Sequence, residues 1–133
     1  MEMSARMEAA ARALSRLREM TDKAELSDVE RDALIQRFEF CFEILWKCGK
    51  DYLLAVEGVD AASPKKVIRH LREVGVLDAE ETERALAMAD DRNMTAHTYD
   101  EALAKEMTAK IRGHEPLMSA WYQRIAREWK NKM

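Results

Sequence analysis

The sequence predicts an all-α fold, an antiparallel bundle of four to five helices, and three observations carry that prediction. Its 133 residues include only 4 Gly and 2 Pro, little material for the turns of a β-rich fold. Its 9 Met, with many Ala, Leu, Glu, Lys and Arg, are good helix formers. Apolar residues recur at three- and four-residue spacing along most of the chain. The length suits one domain over residues 1–133, with material for a single core.

A first helix is expected over 3–20, with Met3, Met7, Ala10, Leu14 and Leu17 on one face. Ser27 with Glu30 three residues later reads as a capping box for a second helix, about 28–56. There Leu34, Phe38, Cys41, Leu45, Cys48 and Tyr52 form a seam that must pack on other helices. Ile35, Phe40, Phe42, Ile44 and Trp46 lie off that seam, and only Gln36, Glu39, Glu43, Lys47 and Lys50 make a polar stripe. A helix apolar most of the way round is buried most of the way round. Either it is the central core helix, or part of it forms a homodimer interface.

Ser63-Pro64 opens a third, short helix, with Ser63 as N-cap and proline at the permissive first position. Val67, Ile68, Leu71 and Val74 give it an apolar face, and Gly75 ends it. Asp78 with Glu81 caps a fourth helix, about 79–94, and Thr98 with Glu101 is expected to box the start of the last, which runs towards Lys130. Leu103, Met107, Ile111, His114, Met118, Trp121 and Ile125 form its expected inner face. Pro116 removes the bond to the Arg112 carbonyl and should kink it.

Composition narrows the function classes. The opening residues contain no apolar h-region, and no run approaches the roughly 18 apolar residues of a membrane span, so a cytoplasmic protein without membrane contact is expected. Cys41 and Cys48 lie seven apart in one predicted helix, which separates their α-carbons by about 10 Å, beyond disulfide reach. Two cysteines make no zinc site, and small core residues in a reducing compartment are the expectation. Net charge is −3 and the pI about 5.7. A protein that binds phosphates non-specifically is usually strongly basic, so any nucleic-acid role must rest on a local site.

No phosphate-binding glycine loop, dinucleotide fingerprint, nucleophile elbow, HExxH or CxxC pair occurs. His70 and His114 lie inside helices with no evident partner. The exception is Asp91-Arg92-Asn93-Met94-Thr95-Ala96-His97-Thr98-Tyr99-Asp100, at the junction of two predicted helices. Arg92 falls in the last turn of one, and His97 just before the N-terminus of the other, whose free N–H groups suit a phosphate. Arginine offers a permanently charged fork for phosphate oxygens, and histidine a proton donor or acceptor near neutrality. The plain alternative is that Arg92 pairs with Asp90 or Asp91 while His97 packs the corner.

Arg92-x4-His97-x-Tyr99 resembles the R-x4-H-x-Y motif of HEPN-domain proteins of the HepT-like, nucleotidyltransferase substrate-binding family. The segment Gln36–Lys47, the Ser63-Pro64 helix start and the Gly75-Val76-Leu77-Asp78 joint look like that family too, in order, over nearly the whole chain. The resemblance implies a homodimeric helical bundle partnered by a minimal (MNT-type) nucleotidyltransferase. It further implies a metal-independent, cofactor-free ribonuclease toxin, with Arg92 and His97 catalytic and RNA as substrate, silenced when the partner transfers AMP to Tyr99. Asn93 is expected to orient His97 or bond the substrate. The alternative is a non-catalytic subunit that presents a substrate to the nucleotidyltransferase. The nucleotidyltransferase is not this chain, which has no Gly-Ser loop followed by Asp-x-Asp.

Overall fold

Helix α2 (Asp28–Tyr52) organises the other helices. In a computed structural model, residues 3–97 and 100–132 are described. Ser27 accepts from the Glu30 N–H at 3.1 Å and the Glu30 carboxylate accepts from the Ser27 N–H at 2.9 Å, so the predicted capping box forms. Leu34, Ile35, Phe38, Cys41, Phe42, Leu45, Cys48, Gly49 and Tyr52 of α2 are all buried. The core-helix reading therefore accounts for Ile35 and Phe42, leaving Phe40, 66% exposed, and half-buried Ile44 on the open side.

The C-terminal end of α2 differs from expectation. The chain leaves α-helical bonding after Tyr52 for a single π-helical turn, Leu53–Glu57, which ends at Gly58 (φ 69°). A left-handed residue costs least as glycine, so the turn closes where the sequence permits it. Helix α1 (Arg6–Thr21) starts three residues later than predicted, and Met3 is exposed rather than part of the inner stripe. Met7, Ala10, Leu14 and Leu17 bury as expected.

Ion pairs fix the helix directions. Arg6 pairs with Asp51 and Arg37 with Glu19, so α1 and α2 run antiparallel. Helix α3 (Pro64–Glu73) has Ser63 as its cap and ends at Gly75 (φ 82°), whose conformation lets the Val76 and Leu77 N–H groups return to the Leu71 carbonyl. Helix α4 (Ala79–Met94) begins with the predicted Asp78–Glu81 box. Glu81 also holds Arg124 of α5 (Glu101–Asn131) at 2.6 Å, and the guanidinium keeps that carboxyl below the usual range. With Asp91 of α4 meeting His114 of α5, α4 and α5 are antiparallel. Phe38 meets His114 and Tyr52 meets Trp129, so α5 runs parallel to α2.

Helix α5 continues through Pro116 as one element. Its inner stripe is Ala104, Met107, Thr108, Ile111, Leu117, Met118, Trp121, Ile125 and Trp129, and Leu103 is 40% exposed, against expectation. At its start Asp100 caps the helix, its Oδ1 accepting from the N–H groups of Ala102 (2.8 Å) and Leu103 (3.3 Å). The predicted Thr98–Glu101 box rests on Thr98, which lies outside the described residues. Cys41 and Cys48 are buried free thiols, as predicted, and burial pushes both pKa values up to about 12. No described helix is long and apolar enough to cross a membrane, and no strand occurs among the described residues.

The core leaves no room for a side chain at Gly49, where an added Cβ would sit 2.7 Å from Val67 Cγ1, 3.4 Å from Leu71 Cδ1 and 3.6 Å from Trp121 Cζ2. Alanine gains about 0.5–1 kcal/mol over glycine inside a helix, whereas overpacking a dense core costs about 1–3 kcal/mol. Gly49→Ala should therefore lower stability in urea unfolding by about 1 kcal/mol. Val67 is β-branched and cannot swing aside, so combining Gly49→Ala with Val67→Ala should cost less than the sum of the single changes.

Candidate active site

The last turn of α4 is tied down on two sides. Asp91 Oδ2 lies 2.6 Å from His114 Nε2 and its Oδ1 3.6 Å from Lys110 Nζ, both on α5. The His114 ring stacks on Phe38 of α2 at 5.9 Å between centroids. His114 therefore has two partners where its sequence context offered none, and it acts as a rivet between three helices.

One residue on, Arg92 faces the opposite way, towards α2. Its Nη1 lies 3.4 Å from Glu39 Oε2 and its Nε 3.9 Å from Glu43 Oε1. The alternative pairing of Arg92 with Asp90 or Asp91 does not form: Asp90 pairs with Lys65 at 2.6 Å and Asp91 with His114. Thr95 Oγ1 sits 2.9 Å from Glu39 Oε2, 2.7 Å from the Arg92 carbonyl and 3.5 Å from Arg92 Nη1. Glu39 and Glu43 are one turn apart on α2, so both carboxylates reach the guanidinium, Glu39 at Nη1 and Glu43 at Nε.

These side chains are partly open, Arg92 at 28%, Glu39 at 33% and Glu43 at 40% of full exposure. Ion pairs so exposed contribute about 0–1 kcal/mol each. Arg92, Glu39 and Glu43 line a depression of about 360 Å³ together with Gln36, Phe40, Ile44 and Lys47.

After Met94 the chain tightens into a 3₁₀ turn, Thr95–His97, in which Thr95 is buried and His97 exposed. Asn93 is exposed as well. The helix N-terminus that follows is less open to a phosphate than expected, because the Asp100 carboxylate takes two of its N–H donors. Tyr99 lies outside the described residues. Among the described residues, no three His, Cys, Asp or Glu side chains converge as metal ligands.

Glu39 and Glu43 escaped the sequence reading as members of this site. Their i, i+4 spacing and their place on the polar stripe of α2 were legible. Nothing local, however, relates positions 39 and 43 to position 92, because that pairing depends on how α4 crosses α2.

Comparison with known proteins places the fold. A crystal structure from Thermus thermophilus matches with a TM-score of 0.84 and 46% identity, over 87% of this chain and 98% of that one. The tri-AMPylated Shewanella oneidensis HEPN toxin, solved in complex with MNT antitoxin, matches at 0.74 and 13% identity, over 92% of this chain and 94% of that one. A mutant MntA–HpeT toxin–antitoxin structure matches at 0.76 and 13% identity, over 92% and 95%. No curated protein matches the sequence. The family model described as nucleotidyltransferase substrate binding protein like matches residues 5–127. The chain thus has the helical fold of HEPN toxins and belongs to the nucleotidyltransferase substrate binding protein like family.

Proposed function

We propose that this protein is a HEPN-type, metal-independent ribonuclease toxin, paired with an MNT-type nucleotidyltransferase that silences it by transferring AMP to Tyr99. The observation that supports this most is Arg92, paired with two carboxylates, lining a depression that Phe40 and Ile44 also line, with His97 exposed five residues later.

RNA carries its own nucleophile, the 2′-hydroxyl. A neutral His97 takes that proton as the 2′-oxygen bonds to phosphorus, and Arg92 stabilises charge on the phosphorane oxygens. The bond from phosphorus to the 5′-oxygen then breaks, and that oxygen needs a proton from an acid. One imidazole cannot be both base and acid within a step. A second copy supplies the other His97, so a twofold axis beside the depression completes the site. Phe40 and Ile44 are the apolar residues such a homodimer would cover. Asn93, exposed on the same turn, bonds substrate or orients His97.

A second reading, a substrate-presenting subunit of the nucleotidyltransferase that cleaves nothing, is favoured by the acidic pI of about 5.7. One preparation of unmodified, partner-free protein separates the two. Light scattering should give twice the 15.4 kDa chain mass at micromolar concentration. The same protein should degrade tRNA or mRNA pools in EDTA. A monomer would remove the composite site, and intact RNA pools would promote the presenting subunit.

A further inference from the structure

We propose that Glu39, assisted by Glu43, is the positioning residue for Arg92, setting the direction in which the guanidinium meets a substrate phosphate; this deepens the ribonuclease reading and rests on it for its kinetic part. The contact at 3.4 Å spans two helices far apart in sequence, and Glu39 reaches Thr95 as well at 2.9 Å. Glu39 therefore fixes both the arginine and the first residue of the 3₁₀ turn that carries His97. Glu43 contributes less: its contact to Arg92 Nε is 3.9 Å, and its carboxylate is shared with Trp46 Nε1 at 3.3 Å and Lys47 at 3.9 Å.

Two consequences of removing the Glu39 charge oppose each other. Arg92 loses its tether, so fewer bound substrates meet it in the right geometry and kcat falls. The depression also loses a negative charge that repels the phosphate, so RNA binds no more weakly than before. A residue that merely supports the fold produces no such split between kcat and KM.

The test uses Glu39→Gln, which keeps side-chain length and an acceptor for the Thr95 hydroxyl. Its kcat for RNA cleavage is expected to drop on the order of tenfold with KM unchanged or lower. In an Arg92→Lys background the same change should have no further effect on kcat, because Glu39 acts through the arginine. A readout independent of cleavage is the Arg92 Nη–H signal in low-temperature ¹H–¹⁵N spectra, assigned by its loss in Arg92→Lys. It should be sharp in the wild type and broaden or shift in Glu39→Gln, with a smaller change in Glu43→Gln. An Arg92 signal indifferent to Glu39→Gln would overturn the proposal. So would an undiminished kcat, or an equal loss of kcat in the Arg92→Lys background. Wild-type protein that leaves RNA intact would remove the ribonuclease reading alone, while the Arg92 signal would still decide the positioning.

Discussion

His97→Ala and Arg92→Ala are each expected to abolish RNA cleavage while leaving the fold intact. A general acid–base histidine contributes about 10²–10⁴-fold to such a step. Loss of a preorganised donor to a developing oxyanion costs about 10²–10³-fold. Either loss brings cleavage close to background, and the two together should cost far less than their product, because they serve one transition state. Folding should hardly change. His97 is exposed, and Arg92 keeps 28% of its side-chain surface open to solvent, so neither truncation opens a core cavity. Removing Arg92 leaves Glu39 and Glu43 near each other without their cation, at a cost of about 1 kcal/mol or less at this exposure. Circular dichroism should match the wild type, with the melting temperature lowered by about 5 °C at most. Activity surviving in either variant would separate the motif from the chemistry.

That separation between chemistry and folding reflects what each level of the sequence specifies. Caps are local, and Ser27–Glu30, Ser63 and Asp78–Glu81 act where the sequence places them. For the last helix the described cap is Asp100, directly before Glu101, while Thr98 lies outside the described residues. Periodicity gave the buried seam of α2, yet it could not tell which off-seam residues other helices would cover. Ile35 and Phe42 are covered, and Phe40 is not. The motif residues were visible as a string, because Arg92, Asn93 and His97 are neighbours in sequence. Their surroundings were not. Asp91 with His114, and Glu39 and Glu43 with Arg92, join positions separated by more than 20 residues, and only the packing of α2, α4 and α5 brings them together.

Tyr99→Phe is expected to keep much of the ribonuclease activity and to escape silencing by the nucleotidyltransferase, ATP and Mg²⁺. Phenylalanine retains the ring, so stacking on RNA survives, and it lacks only the oxygen that would accept AMP. In the wild type, transfer would break the α–β phosphate bond of ATP, join the α-phosphorus to the phenol oxygen as its proton leaves to the solvent, and release pyrophosphate. The product carries a base, a ribose and a negative phosphate two residues past His97. Such a group blocks the cleft by size and competes with RNA for Arg92 by charge. The competition is sharpened by what Arg92 already faces, since Glu39 and Glu43 take up part of its cationic capacity. A second anion held covalently nearby would leave little for a substrate phosphate. Intact-mass spectrometry after incubation with the nucleotidyltransferase reads the outcome. Wild-type protein should gain one or more AMP units, mapped by peptide fragmentation to Tyr99, and lose cleavage in proportion. The phenylalanine variant should gain none and stay active. Mass gained on another residue, or equal silencing of the variant, would make Tyr99 an RNA contact or packing residue and end the regulatory reading.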